Sequence, residues 1–248
     1  MNRKTSYGAA FVSQSDGNAA KARQKRMAAL EKAKGTTDPD KWQTTKSGFT
    51  RESILRAVVE CLAEDGYSRL TMTQVAKKAG LTKGALQHYF DSKSAAIEAA
   101  LTRIFEDQLA LQRESARRPT EAADDQLHDR RIEALWHYVR DSSYVAFMEI
   151  AMAGRKEPHL HKLVQAHYQE YFRLSREAAA ELLPEWQADV EKFNFVAHLV
   201  STVIEGMAVR QEFGISDEHY DEAVRAFLKR TVGDIFTGKL SPFAPGAA

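Results

Sequence analysis

Residues 71 to 93, TMTQVAKKAGLTKGALQHYFDSK, constrain this chain more than any other stretch, because they encode two short capped helices separated by a glycine turn. Thr71 and Gln74 stand three residues apart, the spacing at which side chains and backbone amides satisfy one another in a capping box, and Leu70 and Val75 flank the cap as a hydrophobic staple. Val75, Ala76 and Ala79 form a narrow face of small residues that lets a second helix approach closely. Gly80 ends the first helix, since glycine reaches a left-handed backbone conformation without a steric cost. Thr82 then caps the second, with Leu81 and Leu86 as its staple. Ala85, Leu86, Tyr89 and Phe90 are expected to face inward and Lys83, Gly84, Gln87 and His88 to face solvent. Small residue, glycine turn and apolar anchor in this order are the requirements of a helix-turn-helix.

The outward positions carry groups suited to a duplex. Thr82 and Lys83 open the second helix, where unpaired amides and the helix dipole favour phosphate oxygens. Gln87 and His88 can reach base edges, and glutamine suits bidentate pairing with adenine. Gly84 admits the backbone close to the sugar-phosphate wall. Lys93 is a candidate phosphate clamp, of the kind that sets register while base contacts specify sequence. Before this unit, Ile54, Leu55, Val58, Val59, Leu62 and Ala63 recur at helical spacing, which predicts an amphipathic helix over residues 50 to 65, closed by Gly66 and followed by Tyr67.

Over residues 50 to 101 the chain resembles the TetR family of one-component bacterial transcriptional regulators. The resemblance rests on G-Y after the first helix, T-x-x-x-V-A-x-x-A-G, and K-G-A-L-x-x-Y-F-x-S-K. It implies that Thr71, Thr73, Thr82, Lys83, Gly84, Gln87, His88, Tyr89 and Lys93 occupy DNA-contact positions. Gln87 departs from the pattern, because the family more often carries an aromatic residue there; whether it meets phosphate or base is left open. The family also implies about nine helices, a three-helix reading head at residues 49 to 95, and an all-α effector-binding and dimerisation domain at residues 96 to 240.

Composition agrees with an all-helical fold: 6 prolines, 13 glycines and few alternating β-branched runs in 248 residues. The single cysteine, Cys61, excludes an internal disulfide and suits a reducing, cytoplasmic setting, chiefly as a small packing residue. No apolar run approaches the roughly 20 residues that span a bilayer, and the basic start lacks the apolar segment of a secretory signal. The formal net charge of +1 conceals an uneven distribution. Residues 1 to 48 carry ten Lys/Arg against four Asp/Glu, residues 49 to 100 seven against six, and residues 101 to 248 eighteen against twenty-four. Phosphate would repel the acidic C-terminal part, so DNA affinity is expected at the N-terminal end.

Residues 1 to 48 read as a basic extension, punctuated by glycine, serine and proline and partly disordered, with a helix-forming segment between Asn18 and Lys34. It could be a solvated leader, an arm that adds phosphate or minor-groove contacts, or an artefact of a start at Met1 in place of Met27. Downstream, helical periodicity predicts helices over 127 to 140, 142 to 155, from Pro158 to about 183, near 186 to 213 and over 217 to 236, with a polar break at 117 to 125 and a disordered tail at 241 to 248.

Broad apolar faces on the last two helices point to a homodimeric four-helix bundle, with Val196, Val200, Val203, Met207, Val224, Phe227, Leu228 and Phe236 as its interface and Gly206 permitting close approach. An effector pocket is implied by the resemblance, and the aromatic and sulfur-rich middle of the chain nominates Phe105, Trp136, Tyr144, Met148, Met152, His167 and Tyr171. His198, Thr202 and Glu205 share a face as a polar lining or interface network. A homodimeric repressor released from a palindromic operator by a small hydrophobic or aromatic effector is the expected function. The alternatives are a DNA-binding regulator or architectural factor without an effector and, remotely, a metal hydrolase using His159, His161 and His167. The hydrolase suffers from geometry: two residues on a helix diverge by about 200° at the i, i+2 spacing of His159 and His161, whereas metal pairs use three or four. No catalytic constellation, metal site or cofactor is expected.

Overall fold

The computed structural model describes residues 39 to 117, 127 to 182 and 189 to 243. Among them every regular element is helical: α1 Pro39–Asp65, α2 Met72–Ala79, α3 Lys83–Gln87, α4 Lys93–Arg117, α5 Leu127–Tyr138, α6 Ser142–Gly154, α7 Pro158–Leu182, α8 Val190–Glu212 and α9 Glu218–Phe236. The all-α expectation is met, and so is the count of helices among the described residues. The expectations for the N-terminal extension before residue 39, the start of the acidic-polar break beyond Arg117, Pro184 and the last five residues lie outside the described residues.

One boundary is corrected. Ser47 and Gly48 were expected to belong to a loop-like extension ending at residue 48, but α1 already begins at Pro39 and runs through both. Proline suits a first helical position because its missing N–H would have no intrahelical partner there. Gly48 has open space around it, so its only penalty is the roughly 1 kcal/mol of helix propensity that a long helix absorbs. The described residues up to Arg56 and those from Ala57 onward belong to two separate units. In the first, Ile54 and Leu55 are buried while Arg51 and Arg56 are exposed.

In the second unit, the helix boundaries follow from local chemistry. Asp141, Asp189 and Asp217 cap α6, α8 and α9 by accepting N–H bonds from Ser143, Lys192 and His219. Pro158 opens α7 at the position proline tolerates best. The long α4 packs against α5, α6 and α7, while α5 also meets α8 and α9. Ile97, Leu101, Ile104, Ile132, Ile150, Leu160, Ile204 and Ile235 are fully buried at these seams. Each such side chain contributes roughly 1.5–3 kcal/mol relative to exposure, so the helical body is held chiefly by branched aliphatic packing.

A polar tie fixes α5 to α9. Glu133 accepts from Arg225 at 2.8 Å and lies 2.8 Å from Lys229. Burial pushes its carboxyl up, but the two cations outweigh that and hold it below the usual carboxylate value. Arg225 and Arg140 both lie over the Trp136 ring, at 5.0 and 5.2 Å from its centroid. Trp136 is therefore a stacking platform for two guanidinium groups.

Candidate functional site

The helix-turn-helix forms as its caps dictate. Gln74 N–H donates to Thr71 Oγ1 at 3.2 Å, and Thr71 N–H donates to Gln74 Oε1 at 3.0 Å, completing the capping box. Thr71 Oγ1 also gives its own hydrogen to Gln74 Oε1 at 2.7 Å. Its hydroxyl is thus committed to the cap, whereas Thr82 Oγ1 only accepts, from Ala85 N–H at 3.1 Å, and keeps its hydrogen. Gly80 sits at φ +70°, and its N–H reaches back to the carbonyls of Ala76 and Lys77. Val75, Leu86 and Phe90 are buried beneath the turn, and Ala85 and Tyr89 are half-buried. Thr73, Thr82, Lys83, Gly84, Gln87 and His88 remain exposed, as the spacing requires.

Lys93 is placed differently from the expectation. Its ammonium donates to the Tyr67 carbonyl at 2.8 Å and lies 4.3 Å from the centroid of the Tyr67 ring. Burial lowers its pKa, against the opposing pull of Glu157. The side chain folds back because the Tyr67 carbonyl, which also accepts from Leu70 N–H at 3.4 Å, and the Tyr67 ring lie within its reach. In this structure it latches that turn.

The same turn is gripped from the body. Tyr67 N–H donates to Glu149 Oε2 at 3.0 Å, and its phenol donates to Glu157 Oε2 at 2.8 Å, with burial and that bond pushing the phenol up to about 12. Gly66 is required by its left-handed backbone at φ +79°, and an added Cβ would also lie 2.9 Å from Glu149 Oε2, so that carboxylate would have to shift. Ser94 and His159 Nε2 are 2.9 Å apart, a further link between α4 and α7. His159 and His167 therefore have separate structural partners, since His167 stacks on Phe105 with centroids 5.9 Å apart. Among the described residues no group of three or more His, Cys, Asp or Glu is arranged to hold a metal.

Within the body lies a cavity of about 100 Å³ bounded by α4 to α9. Its walls are rich in aromatic rings: Phe105, Tyr138, Tyr144, Phe147, Tyr168, Tyr171, Phe172 and Phe193. Polar lining comes from Gln108, Gln112, His128, Arg131, Ser201 and Glu205. Of the seven residues nominated from sequence, Phe105, Tyr144 and Tyr171 line it. Trp136 faces its two arginines, Met152 is 52% exposed, Met148 is half-buried away from the lining, and His167 packs behind Phe105. Tyr138, Phe147, Tyr168 and Phe172 were visible as an aromatic-rich stretch, but their selection depends on how α5, α6 and α7 rotate against one another. Glu205 was noted with His198 and Thr202, yet only Glu205 reaches the cavity; the other two are exposed.

Residues 54 to 100 match the family described as "Bacterial regulatory proteins, tetR family". A curated relative, the HTH-type transcriptional regulator BetI from Stenotrophomonas maltophilia, is 26% identical over 167 residues, covering 66% of this chain and 84% of that protein. The family match covers the reading head, and the likeness to BetI extends over most of the chain at low identity. Its reading head alone is similar to the nucleoid occlusion factor SlmA from Marinobacter nauticus, 41% identical over 58 residues, which is 23% of this chain and 30% of that one. Among solved structures, a TetR-like transcriptional regulator from a Rhodococcus species aligns with TM-score 0.55 at 19% identity, covering 76% of this chain and 96% of the other. GusR of Salmonella enterica aligns with TM-score 0.53 at 22% identity, covering 74% and 95%. At these identities the two structures show a shared fold. With a tetR-type reading head, the chain is a DNA-binding transcriptional regulator.

The C-terminal helices of the regulator correct the expected interface residue by residue. Val196, Met207 and Leu228 are buried in the protomer's own core, where Val196 lines the cavity together with half-buried Val200. Phe236 is half-buried and packs toward His128, with ring centroids 6.3 Å apart. The apolar positions that face outward include Tyr220, Val224 and Phe227 on α9, 67, 39 and 63% exposed, and Val190 on α8 at 54%, with half-buried Leu199 and Val203. A face wide enough to serve both core and surface cannot be divided by periodicity alone. No helix among the described residues is long and apolar enough to cross a membrane.

Proposed function

We propose that this protein is a cytoplasmic, non-enzymatic homodimeric repressor that binds a palindromic operator and is released when a small hydrophobic or aromatic molecule enters the body cavity. The single observation that carries the reading is the layout of α6. Tyr144 and Phe147 form cavity wall, and Glu149, on the same helix, receives the Tyr67 N–H at the turn leading into the reading head. A ligand that displaces Tyr144 or Phe147 acts on a rigid element whose other face grips that turn. The α4 helix supports the same logic, with Phe105 at the cavity and Lys93 latched to Tyr67.

On the DNA side, Gln87 and His88 are the base-reading candidates, Lys83 and Thr82 hold phosphate, Gly84 permits close backbone approach, and Thr73 and Tyr89 flank the wall. Thr71 contributes by capping α2. A dimer is supported by the stripe Tyr220, Val224 and Phe227 and by Gly206, around which the protomer leaves open space. One α3 of five residues covers few bases, whereas two related by a two-fold axis read half-sites about 34–36 Å apart. Converting a mostly bound population to a mostly free one requires several kcal/mol of preference for the non-binding state.

Selection of bound duplexes from a random pool tests the reading. A palindrome is expected, with Gln87→Ala costing about 1–3 kcal/mol of discrimination at one position per half-site. Recovery of non-palindromic sites, or an unchanged preference in Gln87→Ala, would remove it. An operator complex that no cavity ligand disturbs would instead support a DNA-binding factor without an effector.

A further inference from the structure

Among the described residues that line the cavity, Glu205 is the one acidic side chain. Among the described residues its hydrogen bonding is limited to the Tyr168 phenol at 3.5 Å, the outer edge of a useful bond. No Lys, Arg or His among the described residues forms an ion pair with it, whereas Glu133 on the neighbouring helix has two such partners. A carboxylate withdrawn from water without a counter-charge costs several kcal/mol, and burial accordingly pushes the Glu205 carboxyl up. Tyr144 adds a second unfilled demand: it is 4% exposed, and its buried Oη has no partner among the described residues.

The surroundings of Glu205 are aromatic. Tyr138 and Tyr144 meet edge-on at 5.7 Å, Tyr144 and Phe147 lie 6.1 Å apart, and Phe147 stacks on Tyr168 at 6.3 Å. Electron-rich ring faces combined with a single carboxylate favour a positive charge carried on a weakly hydrated, carbon-rich body. A metal ion would require more oxygen donors than one carboxylate and phenols supply. A neutral hydrocarbon would fill the volume but leave Glu205 without a counter-charge.

Resting on the reading of this cavity as the effector site, we propose that the ligand class is an organic ammonium ion, its charged head held at Glu205 among Tyr138, Tyr144 and Tyr168. Arg131 lines the same cavity within electrostatic reach of Tyr171 and would instead attract an anion, so hexanoate is the competing probe.

Calorimetric titration of the full chain with butyltrimethylammonium, 1-hexanol and hexanoate decides between them. The cation is expected to bind about ten-fold tighter than hexanol, and Glu205→Gln to abolish that preference while leaving hexanol binding unchanged. Unchanged hexanol binding shows that the variant cavity is intact, and Glu205→Asp should restore part of the preference. Hexanol or hexanoate binding as tightly as the cation, a preference that survives Glu205→Gln, or no cation binding at all would overturn the assignment. Operator release is measured separately. A cation that binds but leaves operator bound keeps the ligand class and removes the effector reading. Release by hexanoate alone does the reverse.

Discussion

Glu149 accepts the backbone N–H of Tyr67 at 3.0 Å across 82 residues of sequence, and this bond joins the cavity helix α6 to the turn that positions the reading head. Glu149→Leu leaves that N–H without its acceptor and should destabilise the chain by about 1.5–3 kcal/mol. Gly66→Ala should cost about 1–2 kcal/mol from its left-handed backbone alone, and more because the methyl displaces Glu149. Urea midpoints check both values. Operator titrations with and without cavity ligand should show release weakened more than binding.

Lys83 and Lys93 are separable by salt. Lys83 is exposed on the reading helix, whereas Lys93 is bound to the Tyr67 carbonyl and ring. Lys83→Ala should reduce the slope of log affinity against log salt by about 0.9 for each phosphate that the lysine neutralises. Lys93→Ala should leave the slope near wild type and lower the melting temperature instead. Equal slope changes in both variants would return Lys93 to the role of a phosphate clamp.

Phe227 and Leu228 are sequence neighbours with opposite surroundings, 63% and 3% exposed. Sedimentation should find Phe227→Glu monomeric with nearly unchanged helicity. Leu228→Ala should remain dimeric and lose about 2–5 kcal/mol of stability through its cavity. Dimeric Phe227→Glu would move the subunit contact away from α9.

Burial raises the Glu205 carboxyl above its ordinary 4.5, so the folded state holds this proton more tightly than the unfolded state. Its contribution to stability is therefore undiminished below pH 4.5 and declines as pH rises toward the folded value. Glu205→Gln should flatten that part of the profile. Ammonium affinity should rise over the same window, as the carboxylate forms. The tyrosines around it are raised and stay neutral there, and burial lowers Arg131 from its usual value. His128 also lines the cavity and titrates below its usual value, because burial disfavours its cation. His128→Gln is the control, and a pH profile that follows it rather than Glu205→Gln would sink the prediction.

The reading head was legible because its determinants are local. Thr71 and Gln74, Gly80, and Thr82 act within one turn of themselves, so spacing alone places them. Lys93 escaped because its partner, Tyr67, lies 26 residues away on another segment. The cavity was half-legible for the same reason. Tyr144 and Phe147 share a helix with Met148 and Met152, and only the packing of α6 against α4 and α7 decides which of them turn inward. Trp136 has the composition of a pocket residue, but Arg140 and Arg225 occupy its ring. Val196 and Val203 lie on one broad apolar face, and tertiary packing divides it between core and surface.

Phe147 and Glu149 are two positions apart on α6, yet one borders the cavity and the other holds the head. On the proposed effector reading, recognition and response are separately replaceable parts of one lever. New side chains at the cavity wall could retune the regulator to another signal while Glu149, Tyr67 and the operator it serves stay as they are, which makes the sensor portable among genes and the DNA site portable among sensors.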